Sequence, residues 1–417
     1  MTATATGKLT STTRPLTPDE FARLRALAFA QGVVIERDAQ TVLGFGSALQ
    51  FELPNGLQDP QALRLVTQTL ACLGGAVVAI GAFRFLPGAA TTLSIPAVCV
   101  RASASEPAVA VVVGSSPNEA ALEELLDDRH GAERVAAGPP PDAFRLESRR
   151  PHDDFLRRVA AAVSEVRSGR IEKVVMAREV LIEANRPIRQ GDLLERLRAL
   201  HPSCATFAVD GFMGATPELL VRRSGTAVES HPLAGTAARS GDPEADRRVE
   251  AALFASEKER AEHRAVVDAI ADNLRPAMAE LSVPGAPGIV ELRNVSHLGT
   301  DITGHLARSS DGTLLNALEV LALIHPTPAV AGTPVDLALD YLAKAEDLDR
   351  DRYAGAVGWM DATGDGEWHL GIRCGIVEDR TARLFAGVGI VADSDPFAEL
   401  AETQLKLQAF LAAAVRP

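Results

Sequence analysis

The sequence predicts an α+β fold in which large antiparallel sheets are flanked by helices, and three observations indicate this class. Strand-like segments mostly follow one another or are joined by long helices, whereas a doubly wound parallel sheet requires a regular alternation of strand and helix. Glycines interrupt the strand-like runs, as at Gly44, Gly46, Gly387 and Gly389, which is typical of places where another backbone or a ligand comes close. The 417 residues, 47% of them hydrophobic, are enough for one large core or two fused halves.

The N-terminal part of the chain contains no cluster of catalytic side chains. Residues 1–15 are rich in threonine, and we expect them to be disordered. Thr17-Pro18-Asp19-Glu20 is a capping box with proline at the first helical position, and it predicts a helix that ends near Gly32. Residues 16–150 combine such helices with glycine-marked strands. We interpret them as the scaffold part of the fold.

A proline-rich connector over 136–151 leads into 151–417, which we interpret as the catalytic core and as one structural unit with the scaffold part. The last predicted helix begins at Ser394-Asp395-Pro396, a capping side chain followed by proline. The main elements predicted in the core are a strand over 173–182, a hairpin over 219–229, a long helix over 243–281, and strands over 289–298, 367–376 and 382–391.

Composition and charge exclude several classes of partner. The formal net charge is −13, so the protein has no general positive field that would attract nucleic acid or an anionic membrane. There is no signal-peptide pattern and no run near the ~18–20 apolar residues of a membrane span. The four cysteines are scattered, as in proteins with reduced thiols. We therefore expect a cytoplasmic protein that binds neither nucleic acid nor membrane.

Two helices carry paired glutamates three residues apart, Glu259 with Glu262 and Glu399 with Glu402. Each pair lies on one helix face, and Lys406 extends the second stripe. A solvated charged face is the ordinary explanation for one such pair. If the two faces meet, four carboxylates converge and need a cation, for which all-oxygen ligands favour Mg²⁺.

Several single residues have both a structural and a functional interpretation. Lys173 either extends to solvent from a strand end or is kept neutral by burial, as a general base would be. Glu218 either stabilises a turn or serves as a general acid. Arg373 lies between apolar neighbours and suits a carboxylate ligand. His297 at a strand end is either a core residue or a ligand contact, and Tyr353 is one of only two tyrosines.

Nine short segments occur in an order that resembles the chorismate-utilising enzymes, most closely the isochorismate synthases. The resemblance covers residues 153–417 and is weak in the N-terminal part, where only G-F-G-S-A at 44–48 is similar. The segments are K-V-V-x-x-R at 173–178, T-P-E-L-L-V-R at 216–222, P-L-A-G-T at 232–236, K-E-x-x-E-H at 258–263, H-L-x-T at 297–300, H-P-T-P-A-V-x-G at 325–332, Y-A-G-x-V-G-W at 353–359, G-D-G-E-W at 364–368, and A-G-x-G-I-V-x-x-S-x-P-x-x-E-x-x-E-T-x-x-K at 386–406.

The resemblance implies a site between two layered antiparallel sheets, with Mg²⁺ anchoring the ring carboxylate of chorismate. The metal would be surrounded by Glu259, Glu262, Glu399 and Glu402, of which Glu262 and Glu402 are the expected direct ligands. Arg373 and Tyr353 would hold the enolpyruvyl carboxylate. The positions that match substrate contacts are Gly235, Thr236, His297, Tyr353, Arg373, Gly387, Gly389 and Lys406.

Within the family, Lys173 resembles the residue of the enzymes that add water at C2 of the ring, since anthranilate synthases have glutamine there. Ala234 stands where aminodeoxychorismate synthases carry a nucleophilic lysine. The resemblance thus implies an isomerase that makes isochorismate, with neutral Lys173 as the base that activates water and protonated Glu218 as the acid for the C4 hydroxyl.

Three alternatives stay open. Salicylate synthases match Lys173 and Glu218 but typically lack the H-P-T-P-A-V and G-D-G-E-W segments. The others are a subunit that depends on a glutaminase partner and an inactive chorismate binder. We expect a monomer without a glutaminase subunit, and the sequence does not distinguish menaquinone from siderophore biosynthesis.

Overall fold

The computed structural model describes residues 9–104, 106–127 and 138–415. The strands of this part of the chain form three sheets, and each described pairing is antiparallel. The predicted α+β class with large antiparallel sheets is confirmed.

The large sheet has twelve strands, in the order β1-β8-β7-β3-β2-β11-β12-β23-β24-β10-β20, with β9 also paired to β10. They are β1 Thr10–Pro15, β2 Val33–Arg37, β3 Gln40–Phe45, β7 Val98–Ala102, β8 Val109–Gly114, β9 Phe144–Ser148, β10 Lys173–Ala184, β11 Ala205–Val209, β12 Phe212–Thr216, β20 Gly332–Thr333, β23 Cys374–Glu378 and β24 Thr381–Ile390.

The second sheet has nine strands, in the order β16-β19-β14-β13-β22-β21-β5-β6-β4, and the small sheet has three, β15-β18-β17. The strands of the second sheet are β4 Leu49–Leu53, β5 Val78–Ala82, β6 Thr91–Ile95, β13 Leu219–Ser224, β14 Ala227–His231, β16 Met278–Ser282, β19 Ile302–Leu306, β21 Ala356–Asp361 and β22 Gly366–Leu370. Those of the small sheet are β15 Leu233–Ala238, β17 Gly288–Glu291 and β18 Val295–Gly299.

The helices begin where the sequence provides capping groups. Thr17 forms the predicted capping box, Asp59 caps the second helix, and Asp395 accepts hydrogen bonds from the backbone at the start of the last one. The helices are α1 Pro18–Gln31, α2 Pro60–Leu73, α3 Ala120–Asp127, α4 His152–Arg167, α5 Gln190–Leu200, α6 Pro243–Ala255, α7 Glu257–Leu274, α8 Ala317–Ile324, α9 Val335–Ala345 and α10 Pro396–Ala414.

The central strands of the large sheet are buried on both faces, whereas the edge strands β1 and β9 are largely exposed or half-buried. Along β3, Val42 belongs to the hydrophobic cluster shared with the second sheet, whereas its neighbour Leu43 belongs to a cluster shared with α1, α5 and α10. Successive side chains of a strand point to opposite faces, so one core lies between the two sheets and another lies under the helices. This explains why the strands of the large sheet read as continuous apolar runs.

Two segments that we expected to lack regular structure form strands. Residues 10–15, expected to be disordered, form β1 and pair with β8, while residues 1–8 lie outside the described part. The connector expected over 136–151 contains β9, which pairs with β10. In both cases a neighbouring strand supplies the hydrogen-bond partners, and that pairing overrides weak local propensity.

Three predicted elements are divided in the structure. The helix expected over 243–281 is divided at Ser256, whose extended backbone ends α6 and whose side chain caps α7. The strand expected over 289–298 is β17 followed by β18, and the one expected over 367–376 is β22 followed by β23. By contrast, β24 runs without a break through Gly387 and Gly389.

In the part of the chain that the structure describes, no helix is both long enough and apolar enough to cross a membrane. All four cysteines carry free thiols.

Candidate active site

One cavity brings together every residue that the sequence analysis singled out for catalysis, substrate contact or metal binding. Its walls come from the starts of β10 and β15, the end of β24, the first turns of α7 and α10, and the links between sheets. The predicted residues around it are Lys173, Glu218, Gly235, Thr236, Glu259, Glu262, His297, Tyr353, Arg373, Gly387, Gly389, Glu399, Glu402 and Lys406. Their individual roles stay predictions.

The paired strands β10 and β24 form one wall, and the glycines there make room for functional side chains. Lys173 is the first residue of β10 and is 7% exposed. A Cβ atom at Gly389 would lie 2.5 Å from Lys173 Cε, and one at Gly387 would lie 2.9 Å from the hydroxyl of Tyr353. Both glycines therefore leave space for a neighbouring side chain in an unbroken strand.

Lys173 is held by a carboxylate of the opposite helix. Its Nζ donates a hydrogen bond of 2.7 Å to Glu262 Oε1. Burial acts to raise the pKa of Glu262, but the charge and hydrogen bond of Lys173, together with the charges of Lys406 and Lys258, leave that pKa below its usual value. The neutral amine expected for Lys173 stays a prediction, and in the structure this nitrogen is engaged with Glu262. A role as base therefore requires Glu262 to turn to another partner.

Glu218 lies where the chain passes from the large sheet to the second sheet, between β12 and β13. Its side chain is buried, and Oε1 has no hydrogen-bond partner within the described chain. Burial raises the pKa of Glu218 to about 8, although a backbone hydrogen bond from Leu233 and the charge of Arg373 act in the opposite direction. The carboxyl group is therefore protonated near neutral pH, as an acid catalyst requires.

Arg373 lies in another passage between these two sheets, from β22 to β23, and not inside a strand as we expected. Its φ of 52° is in the left-handed region, which costs a residue other than glycine roughly 1–2 kcal/mol. The two passages are linked by hydrogen bonds, because the Thr216 hydroxyl donates to Leu370 O and the Ala215 N–H donates to Arg373 O. This link brings Glu218 and Arg373 to one cavity.

His297 connects Arg373 to the small sheet. Its Nδ1 lies 2.9 Å from the carbonyl oxygen of Gly235, and its Nε2 lies 3.1 Å from Arg373 Nη2. Burial lowers the pKa of His297 to about 3, so the ring is neutral. Since the carbonyl can only accept a hydrogen bond, Nδ1 carries the proton and Nε2 accepts from Arg373. His297 thereby orients the guanidinium group.

Gly235 supports this arrangement through its backbone. Its φ is 75°, and the register between β15 and β18 shifts at this point. Such a bulge favours glycine, which adopts positive φ without strain. The shift places Thr236 opposite His297, with their side chains 3.2 Å apart.

The four glutamates divide into two kinds. Glu262 and Glu402 each pair with a lysine, and Lys406 Nζ lies 2.7 Å from Glu402 Oε1. Burial and the neighbouring carboxylate of Glu262 raise the pKa of Glu259. Burial also raises the pKa of Glu399, although a hydrogen bond from Ser394 acts in the opposite direction. Neither of these two forms an ion pair in the described residues. The α7 and α10 faces thus supply oxygen donors of the kind a divalent cation takes.

Among the residues that the structure describes, no three His, Cys, Asp or Glu side chains are gathered into a formed metal centre. The four glutamates line the same cavity, but the lysines hold two of them. Each lysine contacts Oε1 of its glutamate, so a cation could take Oε2 of Glu262 or Glu402 while the ion pair is kept. The four glutamates thus line one cavity, as the sequence predicted, but they do not form a compact cluster.

Several residues of the cavity wall were not predicted from the sequence to lie there. Lys258 is exposed at the first turn of α7 and lies near the carboxylates of Glu259, Glu262 and Glu399. A positive charge at the start of a helix is unfavourable, because it opposes the helix dipole. This unfavourable position is the sequence feature that could have indicated a functional role for Lys258. Val330 also lines the wall, within the H-P-T-P-A-V-x-G segment that we quoted without assigning a residue.

Comparison with known proteins agrees with this geometry. A family model described as "Chorismate binding enzyme" matches residues 66–415. Isochorismate synthase DhbC of Bacillus subtilis is 40% identical over 272 residues, which span 63% of this chain and 67% of that protein. The salicylate biosynthesis isochorismate synthase of Pseudomonas aeruginosa is 42% identical over 293 residues, 68% of this chain and 60% of that protein.

Solved structures have the same fold. The crystal structure of DhbC from Bacillus anthracis, described as a "putative 2,3-dihydroxybenzoate-specific isochorismate synthase", has a TM-score of 0.80 at 29% identity and covers 94% of this chain and 99% of that one. MenF from Escherichia coli has a TM-score of 0.81 over 99% of this chain and 96% of its own, and at 24% identity it is evidence for the fold alone. The resemblance noted in the sequence is confirmed, and this chain belongs to the chorismate binding enzyme family.

Proposed function

We propose that the protein is an isochorismate synthase, an isomerase that adds water at C2 of chorismate while the C4 hydroxyl departs. The observation that carries the proposal is the presence of Lys173 and a buried, protonated Glu218 in one cavity. The reaction needs one group that takes a proton from water and another that gives a proton to the leaving hydroxyl. The relatives named above are isochorismate synthases, which supports the same reaction here.

Glu218 is the general acid of this proposal. Its burial keeps the proton on the carboxyl group, and the unpartnered Oε1 has no competing hydrogen bond in the described chain. A proton held in this way can be given to the departing C4 oxygen. The carboxylate that forms lies close enough to Arg373 and Lys173 to be stabilised by their charges.

Lys173 is the general base, and Glu262 controls its availability. The Lys173 amino nitrogen donates to Glu262 in the structure, so in this proposal it becomes available to water only when Glu262 is engaged elsewhere. Glu262 is also a proposed metal ligand. Glu262 therefore belongs both to the proposed metal site and to the surroundings of the proposed base.

The substrate carboxylates require positive groups, because the chain as a whole is acidic. Arg373, oriented by His297, and the buried hydroxyl of Tyr353 would bind the enolpyruvyl carboxylate. Lys406 donates 2.9 Å to the carbonyl of Gly387, which places its ammonium beside the glycine wall. The further expected contacts of the substrate are Gly235, Thr236 and Gly389.

Mg²⁺ is the proposed cofactor. Glu259, Glu262, Glu399 and Glu402 would hold it, with Glu262 and Glu402 as the direct ligands. When bound, the ion anchors the ring carboxylate and offsets its charge. In this proposal residues 151–417 form the chorismate-binding core, since the lining begins at Lys173, and 16–150 serve as scaffold.

The decisive experiment is chromatographic product analysis after incubation with chorismate, with Mg²⁺ and with EDTA. We expect isochorismate with Mg²⁺ and none with EDTA, without added ammonia or a partner protein. Salicylate as the main product, detected by its fluorescence, would favour a salicylate synthase. A requirement for ammonia or a glutaminase would overturn the assignment, and bound but unchanged chorismate would indicate an inactive binder.

Two substitutions test the assigned roles in the same assay. Lys173→Ala and Glu218→Gln should each fold normally and lose on the order of 10²–10⁴-fold in turnover, the usual contribution of a general base or acid. Circular dichroism provides the control for folding. Wild-type turnover in either variant would remove that residue from the mechanism.

A further inference from the structure

A buried ion pair lies behind the wall of the cavity, outside the residues assigned above. Glu346 and Arg350 are 6% and 3% exposed and are joined by two hydrogen bonds of 2.7 Å, from Arg350 Nε to Glu346 Oε2 and from Nη2 to Oε1. The guanidinium group also lies over the ring of Phe85, 4.1 Å from its centroid. Such a pair is an uncertain source of stability, because desolvating both charges offsets their attraction.

The pair takes the place of a missing strand at one edge of β10. That edge pairs with β20 at Lys173 and Val174, and with β9 from Val180 onward. Between these strands Arg350 Nη2 donates 2.6 Å to the carbonyl oxygen of Val175, and Glu346 Oε1 accepts 2.7 Å from the N–H of Ala177. A donor and an acceptor from the ion pair thus satisfy backbone groups that a neighbouring strand would otherwise bond.

The same arginine contacts two further segments of the cavity wall. Its Nη1 donates 2.9 Å to the carbonyl oxygen of Val330, and its own carbonyl accepts 2.9 Å from the N–H of Tyr353. Val175, Val330 and Tyr353 all line the cavity. One residue therefore connects three segments: its side chain bonds the strand that begins at Lys173 and the loop after α8, and its backbone carbonyl bonds the turn that carries Tyr353.

We propose that Arg350, fixed by Glu346, is a positioning residue that sets the spacing between the Lys173 strand and the Tyr353 side of the substrate cavity. The inference rests on the proposed function, because it concerns the geometry of that site. Lysine cannot replace Arg350, since one ammonium group cannot reach both carbonyl oxygens and both carboxylate oxygens in a planar arrangement.

The test compares Arg350→Lys with Arg352→Lys. Arg352 is a matched control, since it also donates to two backbone carbonyls, those of Val209 and Asp210, which do not line the cavity. We expect kcat/KM for chorismate to fall roughly 10–10²-fold in Arg350→Lys, because small displacements of catalytic groups have effects of this size. Arg352→Lys should stay within about twofold of wild type. An Arg350→Lys enzyme within twofold of wild type would overturn the proposal.

A second variant separates positioning from stability. Removing one member of a buried pair leaves an unpaired charge, whereas replacing both by apolar residues often restores stability. We expect Glu346→Leu/Arg350→Met to regain part of the melting temperature lost in Arg350→Met, because no unpaired charge remains although Val175 O and Ala177 N–H stay unbonded, but not to regain kcat/KM. Recovery of kcat/KM together with melting temperature would reduce the pair to a structural role and overturn the inference.

The failure of this inference is distinguishable from failure of the proposed function. Isochorismate formation by the wild-type enzyme tests the function alone. If the wild type binds chorismate without turnover, calorimetric affinity replaces kcat/KM as the readout, and we expect Arg350→Lys to bind several-fold more weakly than Arg352→Lys. Equal affinities of the two variants would then count against the positioning role.

Discussion

At the scale of single residues, Glu218 illustrates how burial alone can prepare a carboxyl group for acid catalysis. Its pKa is raised to about 8 mainly by burial, so the group is protonated below that pH and ionised above it. We expect kcat/KM to fall as the pH rises through about 8, measured from pH 6 to 9.5. Activity that stays level to pH 9 would contradict the role as acid.

The same burial makes Glu218 a cost to stability. The pKa is near 4.5 in the unfolded chain and about 8 in the folded protein, so the folded state binds more protons between these values. The contribution of Glu218 to stability therefore becomes less favourable as the pH rises from about 4.5 to 8. Glu218→Gln removes this dependence, and its free energy of unfolding should exceed that of the wild type by on the order of 3 kcal/mol at pH 7.

Denaturant unfolding at pH 5 and pH 7 measures this difference. The two proteins should be similar at pH 5 and should diverge at pH 7, with the wild type the less stable. A wild type that is the more stable protein at pH 7 would show that Glu218 is ionised in the folded state.

Gly389 leaves room for the side chain of Lys173, and a substitution at this glycine tests whether that room is needed for activity. An alanine there would place its Cβ 2.5 Å from Lys173 Cε, and the flexible lysine has to move. We expect Gly389→Ala to lose on the order of 10²-fold in kcat while its stability changes by only about 1 kcal/mol. Steady-state kinetics and thermal unfolding measure the two quantities.

Gly114→Ala is the control for this substitution. Gly114 also lies in a strand of the large sheet, and nothing lies within 4 Å of the position its Cβ would take. The control should keep wild-type kinetics. Equal losses of activity in the two variants would show that the effect does not act through Lys173.

At the scale of secondary-structure elements, Ser256 decides where the acidic face of α7 begins. It ends α6 with an extended backbone, and its hydroxyl accepts a hydrogen bond of 3.3 Å from the N–H of Glu259. We expect Ser256→Ala to cost about 1 kcal/mol in stability, as loss of an N-cap does. It should also raise the Mg²⁺ concentration for half-maximal activity, because the first turn that carries Glu259 loosens.

Asp242→Ala is the matched control, since Asp242 caps α6 through Glu244 and Ala245 and does not line the cavity. It should cost similar stability and leave the Mg²⁺ dependence unchanged. If both variants have the same Mg²⁺ dependence, the Ser256 cap does not contribute to metal binding.

The elements were predictable from sequence where caps and glycines mark them. The capping box at Thr17 and the cap at Asp395 appear in the structure as predicted. Helix periodicity alone does not show a break of one residue, so α6 and α7 were predicted as one helix. β1 and β9 were missed because their hydrogen-bond partners are distant in sequence.

At the scale of the whole molecule, the cavity depends on two places where the chain leaves one sheet for the other. Glu218 lies in the first passage and Arg373 in the second, and they come together because the hydroxyl of Thr216 bonds Leu370 across the two passages. A sequence pattern shows that an apolar strand is interrupted, but not that its halves belong to different sheets. Arg373 was therefore predicted within a strand, although it lies between two.

The sequence by itself determined the α+β class, the family and the polar residues proposed for catalysis, substrate contact and metal binding, because these follow from residue types and their order along the chain. Only the tertiary structure decided the charge arrangement: Lys173 is bound to Glu262, the neutral ring of His297 orients Arg373, and the Glu346–Arg350 pair completes the edge of β10. The physical reason is that charge state and orientation depend on burial and on partners 76 to 175 residues away along the chain, which only the packing of the sheets brings into contact.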